Sequence, residues 1–142
     1  MDRRISFPAT IDHLPKAIEW VLSCARESGL GDRQLKDIHF AVEEAVVNII
    51  NYAYKDSEGD FDIVCASHDD GRFTIEISDT GIPFNILSVP PPNMNADVTE
   101  RTIGGLGVHL IKSLMDEVNY RYEGNRNILL LTVLPSSFAD SL

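Results

Sequence analysis

Residues 32–54 read DRQLKDIHFAVEEAVVNIINYAY, and within them Glu43-Glu44-Ala45-Val46-Val47-Asn48 decides how the rest of the chain is read. Leu35, Ile38, Val42, Ala45, Ile49 and Ala53 recur every three or four residues, the spacing of one buried helix face. Phe40, Val47 and Ile50 make the remaining surface partly apolar, so this helix is expected to be covered on more than one side. Opposite the stripe stand Glu44, Asn48 and Asn51, and at about 3.6 residues per turn Glu44 and Asn48 lie one above the other. Asn is a poor helix former, because its side chain competes for backbone hydrogen bonds. Its amide oxygen can ligate a hard cation, and a carboxylate one turn away can take a proton from a hydroxyl or water. A solvated polar face is the plain alternative.

Working outward, residues 3–9 read as a short edge strand, where Pro8 is tolerated. Asp12 is the expected N-cap of a helix to Ser28, with Leu14, Ala17, Ile18, Val21, Leu22 and Ala25 inward and Gly29 as the stop. Asp32 is the expected N-cap of the second helix. Residues 60–67 and 72–78 alternate apolar and polar around His68-Asp69-Asp70-Gly71, a hairpin signal. Residues 83–103, with Pro90-Pro91-Pro92, form a long irregular segment of the kind that usually serves function. Helical spacing returns from Leu106 to Val118, and residues 119–123 and 128–134 read as a second hairpin turning at Gly124-Asn125-Arg126-Asn127. This order predicts an α+β protein, a two-layer sandwich of helices on one face of a mainly antiparallel mixed sheet, in a single domain over 1–142 with its core at about 5–134.

The chain has 142 residues, 44% of them apolar and 24% charged, the composition of a globular domain that needs no disulfide or metal to fold. Its net charge of −10 argues against nucleic acid or an anionic membrane as the main partner. A nucleotide remains open, since backbone N–H groups and a divalent cation can hold phosphates without a basic surface. Neither a signal peptide nor a membrane span is apparent, which predicts a soluble, cytoplasmic protein. Cys24 and Cys65 read as reduced core residues, and the four histidines have no His or Cys partner at ligand spacing.

Two further clusters can carry chemistry. Ser78-Asp79-Thr80-Gly81 closes an apolar strand: an ordinary turn, or a carboxylate at a pocket mouth able to accept a hydrogen bond from an exocyclic amine such as that of adenine. Gly104-Gly105-Leu106-Gly107 opens a helix: a hinge, or a backbone close enough to an anion for N–H groups and the helix dipole to hold it. It is not a P-loop, lacking Gly-Lys-Ser/Thr, and not a Rossmann fingerprint, since its sixth position is Leu110.

Taken in order, these clusters resemble the GHKL (Bergerat-fold) ATPases, and most closely the bacterial anti-sigma-factor serine/threonine protein kinases of the switch-protein branch. Glu43 to Tyr54 resembles that branch's N-box, and Asp79-Thr80-Gly81-Ile82-Pro83-Phe84-Asn85 its first glycine box. Gly104-Gly105-Leu106-Gly107-Val108-His109-Leu110-Ile111 and Met115-Asp116-Glu117-Val118 resemble the second box and the helix after it. The likeness runs from Ile5 to Leu134.

The resemblance implies ATP and Mg2+ as cofactors. It makes Glu44 the general base and Asn48 the Mg2+ ligand, and sets Asp79 on the adenine amine with Gly81 and Ile82 beneath. It makes residues 86–103 the ATP lid and places Gly104, Gly105, Leu106, Gly107 and Val108 at the phosphates, with the Thr132 hydroxyl near the adenine. Lys55, Arg101 and Lys112 are the nearest basic residues in sequence. The implied partners are a sigma factor and a STAS-domain anti-anti-sigma protein, with a homodimeric kinase. The chain departs from the pattern at Pro83, where many members have glycine, and at Tyr52, where the branch commonly has histidine. The competing function is an ATP-dependent binding module without phosphotransfer.

Overall fold

The computed structural model describes residues 2–54, 58–88 and 105–135, with backbone alone for 88 and 105–109. Five strands form one sheet: β1 (Asp2–Pro8), β2 (Asp60–Ser67), β3 (Phe73–Asp79), β4 (Glu117–Glu123) and β5 (Arg126–Val133). They lie in the order β1-β2-β3-β5-β4, every neighbouring pair antiparallel. The expected α+β sandwich is therefore present, without the parallel pairing that a mixed sheet would contain.

The helices are α1 (Leu14–Glu27), α2 (Asp32–Asn48) and α3 (Gly105–Leu114). The six apolar residues of the α1 stripe are all buried, as are Ile38, Val42 and Ala45 of α2. They meet one sheet face, to which β2 contributes Phe61, Ile63 and Cys65, β3 contributes Phe73, Ile75 and Ile77, and β5 contributes Leu129, Leu131 and Val133. Alternation of period two sends every second residue of these strands to that face. The α2 helix packs against both α1 and α3, which is why its surface is apolar beyond one stripe. Phe40 is the exception, half-exposed beside His39. Cys24 and Cys65 are free and buried, and burial together with Cys24 pushes the Cys65 thiol far up.

Several boundaries differ from expectation for local reasons. Asp12 lies in a 3-10 turn (Ile11–His13), and α1 begins at Leu14. Gly31, not Asp32, caps α2: the Gln34 side chain accepts from the Gly31 N–H at 3.2 Å. The α3 helix stops at Leu114, and Val118 pairs with Leu131 in β4. In the second hairpin Gly124 and Asn125 both have positive φ, +59° and +62°, as a two-residue turn matching the strand twist requires. Arg126 and Asn127 therefore belong to β5 rather than to the turn, which sets Asn127 opposite Asp79.

Candidate functional site

After Asn48 the α2 chain widens into a π-helical turn, Ile49–Ala53, a distortion that recurs at functional sites. This turn ends against the exit of β3. The Ile82 N–H donates to the Ala53 carbonyl at 3.1 Å. A Cβ on Gly81 would lie 2.4 Å from that same oxygen, so only glycine permits the approach. Tyr54 bolts the junction: its phenol donates to the Asp60 carbonyl at 2.6 Å and accepts from the Thr80 N–H at 2.8 Å. Its ring fills the space a side chain at Gly59 would occupy.

A cavity opens between this junction and the sheet. Ala45, Asn48, Ile49, Tyr52 and Ala53 form one wall, and Ile77 and Leu129 lie on the sheet side. Ile82, Phe84 and Ile86 make the rim, and Tyr120 and Asn127 complete the lining. The lining is largely apolar with a few polar groups, the composition common to small-molecule sites. Ile82 and Phe84 stay largely exposed, apolar surface presented where a ligand would cover it.

Asp79 is buried beside the cavity, at the end of β3. Its Oδ1 accepts from the Gly81 N–H at 2.9 Å and from Asn127 Nδ2 at 3.0 Å. A carboxylate has roughly four acceptor positions, so acceptor capacity remains for a ligand amine. Asn48 donates its amide Nδ2 to the Glu44 carbonyl at 2.9 Å, which leaves its amide oxygen as the group suited to a hard cation. Among the described residues no cluster of three His, Cys, Asp or Glu side chains could hold a metal. Glu44 is half-buried, and burial, helped by the neighbouring Glu43, raises its carboxyl above the ordinary value. A carboxylate so placed is a better proton acceptor than a solvated one.

The structure thus places Asn48 and Ile82 in the cavity lining, Asp79 next to it through its bond to Asn127, Gly81 against Ala53, and Glu44 one helical turn from Asn48. Gly105, Leu106, Gly107 and Val108 form the first turn of α3, while Gly104 and most of the expected lid lie outside the described residues. Thr132 is a correction. Leu131 and Val133 face the helices, so alternation turns Thr132 to the opposite sheet face, paired with Thr74. It also lies five residues along β5 from Asn127, about 16 Å at the rise of a strand. Lys112 donates to the Leu87 carbonyl at 3.2 Å, a structural tie, while Lys55 and Arg101 lie outside the described residues. The residues that sequence reasoning missed are Asn127 and Tyr120, while Tyr52 and Tyr54, noted within the N-box, were given no role. The signal for Asn127 is its register with Asp79, which needs the length of the preceding turn.

The family description "Histidine kinase-like ATPase domain" matches residues 7–133. The chain is 28% identical over 130 residues to "Serine-protein kinase RsbW" of Bacillus mycoides (strain KBAB4), covering 89% of this chain and 81% of that relative. The protein of the same name from Bacillus cereus (strain G9842) matches with the same identity and coverage. In fold the chain resembles the crystal structure of the RsbU and RsbW domains of Rv1364c from Mycobacterium tuberculosis, with a TM-score of 0.68 at 18% identity. That likeness covers 94% of this chain but only 32% of the longer one. With residues 7–133 matched and the sheet, helices and cavity arranged as described, the chain belongs to the family of histidine kinase-like ATPase domains.

Proposed function

We propose that this protein is an ATP-dependent serine/threonine protein kinase that acts as an anti-sigma factor. It would phosphorylate a Ser or Thr of a STAS-domain anti-anti-sigma protein and sequester a sigma factor, working in the cytoplasm as a homodimer. The observation that carries the reading is the arrangement of Glu44 and Asn48 one turn apart on the helix that walls the cavity, with the Asp79 carboxylate bonded to Asn127, which also lines it. Relatives named as serine-protein kinases over nearly the whole chain support the same activity.

In this reading the adenine enters between Ile49 and Ile82, and its exocyclic amine donates to Asp79. Gly81 and Ala53, held together by their close approach, shape the floor. The Asn48 amide oxygen would hold Mg2+, which when bound neutralises phosphate charge in phosphoryl transfer. Glu44 accepts the proton of the incoming hydroxyl, and its raised pKa suits that task. The backbone N–H groups at the start of α3 face the phosphates, so the net charge of −10 is compatible with the ligand.

The test is incubation with γ-labelled ATP, Mg2+ and STAS-domain proteins encoded near the gene. The wild type transfers label to a Ser or Thr, and Glu44→Gln keeps nucleotide binding while transfer falls by roughly 100-fold or more. Equal transfer by both proteins contradicts the role of Glu44. Nucleotide-dependent capture of a partner without any transfer identifies a binding module instead.

A further inference from the structure

Asn127 is the buried side chain that the nucleotide reading leaves without a task. Its amide makes four hydrogen bonds, to four different parts of the site. Nδ2 donates to Asp79 Oδ1 at 3.0 Å and to the Ile82 carbonyl at 2.9 Å. Oδ1 accepts from the Phe84 N–H at 2.9 Å and from the Tyr120 phenol at 2.5 Å. Two donors and two acceptor positions are the full complement of a carboxamide. The partners also fix which way the amide points, because an ionised carboxylate and a carbonyl can only accept, whereas an N–H can only donate.

No other side chain of this reach supplies that set. An ionised Asp has no donor and would set a second negative charge against Asp79. A Thr hydroxyl has a single hydrogen for two acceptors, and an apolar residue removes all four bonds, the one to the buried Asp79 among them. The amide therefore fixes the Asp79 carboxylate and the 82–84 rim in one geometry.

We propose that Asn127 is the positioning residue that sets the base selectivity of this site, by holding the Asp79 carboxylate as a fixed acceptor beside the rim formed by Ile82 and Phe84. It rests on the adenine reading above. Asn127 lines the cavity but makes no hydrogen bond to the base, since its own hydrogen-bonding capacity is spent within the protein. A base with an exocyclic amine is accepted by the carboxylate that Asn127 orients. A 6-oxo base, as in hypoxanthine, sets an acceptor against an acceptor and is rejected.

The test is calorimetric titration of the full chain with MgADP and MgIDP. The wild type is expected to prefer ADP by roughly 10- to 100-fold, the range for a lost hydrogen bond to a charged group. In Asn127→Ala, ADP affinity falls by at least about tenfold and IDP affinity by much less, so the preference collapses. Asn127→Asp behaves alike at about pH 8, but regains ADP affinity towards about pH 5.5, because a proton shared between paired carboxyls restores one donor. Among the described residues, the titratable groups facing this position are Asp79 on β3 and Tyr120 and Tyr122 on β4, Tyr122 being paired with Asn127, with Tyr52 on the cavity wall. A purely structural defect would show no such recovery. If neither variant folds, Tyr120→Phe removes one of the four bonds without changing volume, and ADP affinity falls about 2- to 5-fold with IDP unaffected. An ADP preference that stays at the wild-type value in Asn127→Ala, or in Tyr120→Phe where that variant stands in, overturns the assignment of Asn127 while the adenine reading stands. A wild type that binds both nucleotides equally, or neither, overturns the adenine reading and this proposal with it.

Discussion

Replacing Gly81 by Ala adds one methyl group at the point where the α2 exit meets the β3 exit. That methyl would stand 2.4 Å from the Ala53 carbonyl oxygen, 2.6 Å from the Ala53 Cβ and 2.7 Å from the Ala53 carbonyl carbon. Two of those three atoms are backbone, so no rotamer change relieves the clash. The segments must part by roughly 1 Å to restore ordinary contact, at an overpacking cost of about 1–3 kcal/mol. The same movement breaks the bond from the Ile82 N–H to the Ala53 carbonyl, worth about 1 kcal/mol. Together these make roughly 2–4 kcal/mol, a fall in melting temperature of roughly 5–15 °C for a chain of this size. The displaced atoms also line the cavity, so nucleotide affinity should drop with stability. The assays are thermal denaturation by circular dichroism and calorimetric titration with MgADP. Gly31→Ala is the control for an added methyl without a clash: it would meet nothing within 4 Å, so only the poorer N-cap of α2 costs stability, about 1 kcal/mol, and nucleotide affinity is unchanged. A Gly81→Ala protein that melts like the wild type and binds ADP as well would refute the reasoning.

Thr132→Val should leave nucleotide affinity unchanged within about twofold, since the side chain lies on the sheet face away from the cavity; calorimetry checks this. Burial and Glu43 raise the Glu44 carboxyl, so phosphotransfer should fail on the acid side at a higher pH than an ordinary carboxylate would dictate. Glu43→Gln removes the like charge and should move that acid limb to lower pH in the kcat profile. The same raised pKa means ionised Glu44 opposes folding at neutral pH, and that cost disappears as pH falls below the unfolded value. Glu44→Gln should therefore raise the melting temperature at about pH 7.5 and have less effect near pH 4.

The parts of the fold legible in the sequence were those with one dominant period. The α1 stripe and the alternation of β2 and β3 each admit a single reading, and the structure buries those residues. Val118 was ambiguous: it continues the helical spacing from Leu114, yet it also begins the alternation shared with Tyr120 and Tyr122. Pairing with Leu131 in the sheet decides for the strand. Asn127 was hidden because Asn and Gly are turn formers, and only the positive φ of Gly124 and Asn125 shows how short the turn is. Two residues of turn length settle where β5 begins, which is why Asn127 was absorbed into a loop; the place of Thr132 near the adenine was implied by the family resemblance and by no local pattern. The need for glycine at 81 likewise arises from Ala53, 28 positions away in the chain, and no local pattern encodes that approach. Glu44, Asn48 and Asp79 were legible as chemistry because a polar residue amid apolar neighbours stands out in one dimension.

A crystal structure of the chain with MgADP tests the reading most directly. The expected result has the exocyclic amine of the base within hydrogen-bond distance of Asp79, the ring between Ile49 and Ile82, and the metal on the Asn48 amide oxygen. A nucleotide bound elsewhere, or bound in this cavity with its base turned away from Asp79, would contradict it.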